Sequence, residues 1–94
     1  MIQYIIAFRD SRGLEREAIR EAEAENISRA FDLINQAVTL TPERPSCYNN
    51  RAQIHRLNLD VKSALKDLDK ALFIKYDKII FFNMRKKITR VLNF

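Results

Sequence analysis

The stretch Ala30-Phe-Asp-Leu-Ile-Asn-Gln-Ala37 is answered 34 residues later by Ala64-Leu-Lys-Asp-Leu-Asp-Lys-Ala71. In each, alanines stand at the two ends and Phe31/Leu65 and Ile34/Leu68 lie between them. That spacing of three and four places the apolar residues on one face of a helix. Working outward, residues 11–44 align on residues 45–78 without a gap. Ala18 falls on Ala52, Ile27 on Val61, Val38 on Leu72 and Leu40 on Ile74. Asn26 and Asp60 each precede the apolar run, where a helix N-cap belongs. Eight apolar matches in one register make an internal repeat.

Each block reads as two helices. Leu14, Ala18 and Ala22 recur every four residues, and so do Tyr48, Ala52 and, one step short, His55. Thr41-Pro42 closes the second helix of the first block, because proline lacks an N–H and restricts the residue before it. Pro45 suits the first turn of the next helix. The alanines at 18, 30 and 37 and at 52, 64 and 71 allow two antiparallel helices to approach closely, with Phe31, Ile34, Leu65 and Leu68 expected to fill the space beside them. One helical hairpin cannot bury its apolar face, whereas stacked hairpins can. The spacing predicts an all-α chain: an apolar arm at 1–10 that packs on the rest, hairpins at 11–44 and 45–78, and a basic, apolar helix at 79–94 acting as a partial third repeat or cap.

Composition agrees and removes whole classes. One Gly and two Pro in 94 residues leave little turn chemistry for a β sandwich. With 47% hydrophobic and 31% charged residues, the chain is too apolar for disorder and too polar for a membrane bundle. A lone Cys47 cannot form an internal disulfide, and with one His55 there is no Cys/His zinc set. His55 is expected to pack, and Cys47 to be a small surface or semi-buried residue. The apolar start at 1–8 is too short to span a bilayer and lacks the basic flank of a signal peptide. The sequence shows no Gly-rich phosphate loop, paired catalytic carboxylates or metal cluster, so no catalysis, cofactor or metal is expected. A soluble, cytoplasmic protein is the expectation.

The 34-residue period, the A-x3-F-like spacing and the terminal proline resemble the tetratricopeptide repeat. In that register Leu14 and Tyr48 take the first bulky position, and Ala18 and Ala52 the small one. Ala30, Ala37, Ala64 and Ala71 take the two Ala positions, Ile34 and Leu68 an aromatic one, and Pro42 the terminal proline. Tyr76 stands where the second terminal proline would be. The runs Ala22-Glu-Ala-Glu-Asn26, Gln36-Ala-Val-Thr-Leu-Thr-Pro-Glu-Arg44 and Ser46-Cys-Tyr-Asn-Asn-Arg-Ala-Gln53 resemble, more narrowly, the tetratricopeptide repeat protein 36 family. The resemblance implies about two and a half repeats in a short right-handed superhelix. It further implies a non-enzymatic adaptor associated with Hsp70-type chaperones and with regulation of tyrosine metabolism. After Ile74 the chain departs from that family's pattern, and a truncated or alternatively spliced product is the expectation.

In such repeats the first helices line a groove. By register it takes Arg12, Glu15, Arg16, Ile19 and Glu23 from the first block, and Asn49, Asn50, Gln53 and Arg56 from the second. Amides can pair with an extended peptide backbone, and Arg can take a carboxylate. The carboxylate clamp of chaperone-tail-binding repeats is incomplete. Asn50 fits, but Glu15, Ile19, Ile80 and Met84 stand where basic or amide residues are needed, so the tail carboxylate is not expected to be gripped. The net charge of +5 sits mostly at the ends, because residues 14–75 hold ten basic and ten acidic side chains. The alternative is therefore an anionic membrane-surface or RNA binder acting through Lys86, Lys87 and Arg90, and the apolar residues of 79–94 suggest self-association.

Overall fold

Two turns built alike set the architecture. In the first, the amides of Ala24, Glu25 and Asn26 bond back to the carbonyls of Arg20, Ala22 and Glu21. In the second, those of Asn58, Leu59 and Asp60 bond to Ile54, Arg56 and His55, each partner 34 residues on. Both are Schellman-type helix ends, which place one residue in the left-handed region. Neither uses glycine: Glu25 has φ 69° and Leu59 has φ 60°.

The computed structural model describes the backbone of residues 2–92 and the side chains of residues 2–77 and Asn83. The remaining side chains that carry expectations, Ile80, Met84, Lys86, Lys87 and Arg90 among them, lie outside those residues. The four helices are α1 (Ile2–Glu23), α2 (Ile27–Leu40), α3 (Pro45–Leu57) and α4 (Val61–Leu92), with no strand among the described residues. Helix α1 pairs with α2 and α3 with α4; α2 then packs on α3, and α1 also touches α3. The first helices of the two hairpins are thereby neighbours. Pro45 opens α3 at its first turn, and Asp60 caps α4 by accepting the Ser63 N–H at 3.1 Å. Asn26 does not cap α2; its amide turns back to the Glu21 carboxylate at 2.8 Å.

The core is the alanine-rich seam of the first hairpin with its lid from α3. Ala18, Ala22, Ala30, Leu33, Ile34, Ala37, Cys47 and Ile54 are buried, and Leu14, Ile27, Phe31 and Val38 pack against them. Ala52, Ala64 and Ala71 are buried in the second hairpin too. Leu33, Ile54 and Cys47 lie deeper than the sequence suggests, Cys47 being fully buried rather than at the surface.

Three other expectations change. Residues 2–10 are not a separate arm but the opening turns of α1, and Ile2, Tyr4, Ile5 and Ile6 stay exposed instead of packing on the rest. No proline interrupts that run, and the lone Gly13 sits inside α1, so the helix simply continues. Residues 79–92 are likewise not a new helix but the continuation of α4, since Tyr76 replaces the proline that ends α2 at the matching point. Finally, Leu65 and Leu68 do not fill a core. Ile34 is 0% exposed beneath α3, whereas its counterpart Leu68 is 40% exposed, because no further hairpin covers α4 among the described residues.

Candidate functional site

Helix α1 sorts its charges by face. Glu17 and Glu21 turn toward α2, where Arg29 meets them at 3.4 and 3.6 Å. Arg12, Arg16 and Arg20, each one four-residue step apart, are exposed on the side that faces α3. Together with Glu15 and the apolar Ile19 of α1, Arg44, and Ser46 and Asn50 of α3, they line a cleft of about 520 Å³ between the two first helices. These three arginines have no ion pair among the described residues.

The end of that cleft is closed by a buried polar cluster joining the two hairpins. Arg44 reaches the Glu15 carboxylate at 2.9 Å and donates to Ser11 Oγ at 3.0 Å and Ser46 Oγ at 2.9 Å. Asn50 Nδ2 donates to the other Glu15 oxygen at 3.1 Å. Ser11 and Thr41 hydroxyls lie 2.7 Å apart, both within reach of the Ala37 carbonyl and of the Cys47 thiol. The Phe8 ring packs under the Arg44 guanidinium at 4.6 Å and lies 5.9 Å from that of Arg12. Glu15 is thus neutralised from within. Its charge does not project into the cleft, which is left basic.

Asn49, Gln53 and Arg56 lie elsewhere. They are exposed along α3 and, with Ala52, border a second hollow of about 310 Å³ against Ala64 and Leu68 of α4. The residues expected to form one groove therefore divide. Arg12, Arg16 and Asn50 come together between α1 and α3, and Asn49, Gln53 and Arg56 come together between α3 and α4. Asn50 is already committed to Glu15, and Glu23 is exposed at the end of α1 without lining the cleft. A larger hollow of about 620 Å³ is lined by α2 alone, from Asp32 to Leu40, so no second element converges there.

Sequence reasoning missed Arg20 and Arg44. Arg20 was within reach, as the next step of the Arg12–Arg16 spacing. Arg44 was not, because its partner Glu15 is 29 positions away and only the stacking of hairpins brings them together.

A second polar cluster ties α3 to α2 and α4. Arg51 holds Asp67 through two bonds of 2.8 Å and Asn35 at 3.2 Å. The bond to Asp67 keeps the Arg51 guanidinium charged, outweighing its partial burial and raising its pKa. His55 packs on the Phe31 ring, centroids 4.8 Å apart, with Nε2 3.4 Å from Asp67. Tyr48 donates to the Pro42 carbonyl at 2.8 Å, and burial raises its phenol pKa. Among the described residues no group of His, Cys, Asp and Glu is arranged to hold a metal ion, and no helix is long and apolar enough to cross a membrane.

No family model matches the chain, and no solved structure does. Curated relatives match well. Tetratricopeptide repeat protein 36 from Bos taurus is 52% identical over 62 residues, and that from Homo sapiens 48% over 62, each match taking 66% of this chain and 33% of the relative. The Danio rerio protein of the same name is 39% identical over 67 residues, 71% of this chain and 36% of its own. The chain spans about a third of the length of these relatives. With its four helices in two matching hairpins, it has the all-α helical-repeat fold that their names describe, and it resembles the tetratricopeptide repeat protein 36 family.

Proposed function

We propose that the chain is a non-enzymatic, cytoplasmic adaptor module that holds a segment of a protein partner along α3, across the α1–α3 cleft and the adjoining α3–α4 hollow. The observation that carries this reading is the pairing of α1 and α3 as neighbours with unsatisfied polar side chains on their accessible sides. Arg12, Arg16, Asn49, Gln53 and Arg56 are exposed and have no hydrogen-bond or ion-pair partner among the described residues. The structural groups, by contrast, are satisfied: Glu15, Arg44, Arg51 and Asp67 hold the hairpins together.

The family resemblance supports an Hsp70-type chaperone as the partner class and the regulation of tyrosine metabolism as the setting. The state of Asn50 adds a constraint. Its amide serves Glu15, and Glu15 and Ile19 occupy places where a carboxylate clamp needs Lys and Asn, so chaperone contact does not run through the tail carboxylate. The test is a titration of the chain with a purified Hsp70-type chaperone, intact and lacking its C-terminal tail. Equal binding of the two forms, weakened by Asn49→Ala/Gln53→Ala, is expected. Binding that requires the tail and is lost on Asn50→Ala, or no binding to either form, would overturn the chaperone reading.

A further inference from the structure

We infer that Arg12, Arg16 and Arg20 form a row of cationic sites for an extended acidic protein segment with carboxylates at alternate positions. The inference rests on the adaptor reading and gives its partner a chemistry. The first ground is spacing. Four residues of helix advance about 6 Å, and two residues of extended chain advance about 6.7 Å. Three arginines at successive four-residue steps therefore match three acidic side chains that alternate along a strand. The drift over the row is smaller than the reach of an arginine side chain.

The second ground is charge. Each arginine is exposed and lacks an ion pair among the described residues. The carboxylate in the cleft wall, Glu15, is buried and taken by Arg44 and Asn50. The acidic side chains of α1 at 17 and 21 are turned to the opposite edge and held by Arg29. The cleft thus presents three guanidinium groups, which bind carboxylates in a forked geometry, beside one carboxylate whose charge Arg44 already offsets. The third ground separates a protein from a nucleic acid. The cleft is lined by Arg12, Arg16, Arg20, Arg44, Glu15, Ile19, Ser46 and Asn50. The one aromatic ring against its arginines, Phe8, is already stacked under Arg44 at 4.6 Å and beside Arg12 at 5.9 Å, so among the described residues the row offers bases no free stacking surface.

The test uses the whole chain and three labelled probes read by fluorescence anisotropy: a peptide of four alternating Glu-Ser pairs, a peptide of four Glu followed by four Ser, and a five-nucleotide single-stranded DNA of equal charge. The alternating peptide is expected to bind at least about fivefold more tightly than the block peptide. Its binding should weaken at least about tenfold in the variant Arg12→Glu/Arg16→Glu/Arg20→Glu, since reversed charges repel the ligand. The triple change to Gln, with wild-type helicity by circular dichroism, should fall between them and guards against a folding defect. Equal affinity for the two peptides, unchanged binding in the arginine variants, tighter binding of the DNA, or no binding of the alternating peptide overturns the inference. If binding survives the arginine changes but is lost in Asn49→Ala/Gln53→Ala, the adaptor face stands and only its acidic preference fails. If neither set of changes matters, both fail.

Discussion

Leu59 shows what single residues tolerate in this chain. It takes a left-handed backbone, φ 60°, and its side chain is 90% exposed. A non-glycine residue pays roughly 1 kcal/mol or more for that conformation, and here no packing compensates. Leu59→Gly is therefore expected to stabilise the chain by about 0.5–1 kcal/mol after the entropy lost by a more flexible unfolded chain. Thermal unfolding should show a midpoint raised by about 4 °C; a lower midpoint would contradict the turn geometry. Asp60 gives a pH-dependent case. The Ser63 hydroxyl and N–H hold its carboxyl below the ordinary aspartate range. Its folded pKa is thus lower than its unfolded one, so its stabilising effect is present above about pH 4 and is lost as pH falls through the lowered value. Asp60→Asn should lower the midpoint at pH 7 and make no difference near pH 2. The two cap positions were equally legible in the sequence, yet only Asp60 caps, because Glu21 offers the Asn26 amide a partner one turn back.

At the scale of the helices, equal sequence positions need not be equal in energy. Ile34 and Leu68 occupy matching places, one sealed under α3 and the other half open. Ile34→Ala is expected to cost about 3 kcal/mol, within the range for buried aliphatic truncation. Leu68→Ala should cost less than half as much, and urea unfolding of the two variants measures the difference. Similar losses would mean that α4 is covered as α2 is. The helices and their pairing were legible because the 34-residue period repeats the alanine seam, Ala18, Ala30 and Ala37 on Ala52, Ala64 and Ala71. Their true lengths were not. Residues 2–10 and 79–92 extend α1 and α4, and a helix runs on wherever no proline, glycine or cap stops it, whatever the repeat boundary suggests. Pro42 stops α2, and Tyr76 cannot stop α4.

For the molecule as a whole, the junction between hairpins is decided by the Glu15–Arg44 bridge as well as by apolar packing. Both side chains are largely buried, so removing one partner leaves the other without compensation. Arg44→Ala should destabilise by about 3 kcal/mol, and Arg44→Met paired with Glu15→Leu should recover much of that loss in the same unfolding assay. An unchanged single variant would show that the bridge does not hold the repeats together. This cluster also explains why the charge of the candidate site was illegible. Net neutrality over residues 14–75 concealed a segregation by face, with Glu17 and Glu21 against Arg29 and Glu15 inside, leaving Arg16 and Arg20 outward in line with Arg12 just before that stretch. A sum of charges carries no information about faces; helical spacing carries some, and the stacking of the hairpins supplies the rest.

That the α1–α3 side is the interaction face can be read directly by NMR. Titrating the ¹⁵N-labelled chain with the alternating Glu-Ser peptide should move the amide signals of residues 12–20 of α1 and 46–56 of α3 while leaving the outer face of α2 unmoved. Shifts confined to α2 or to the outer side of α4, or no shifts at saturating peptide, would contradict it.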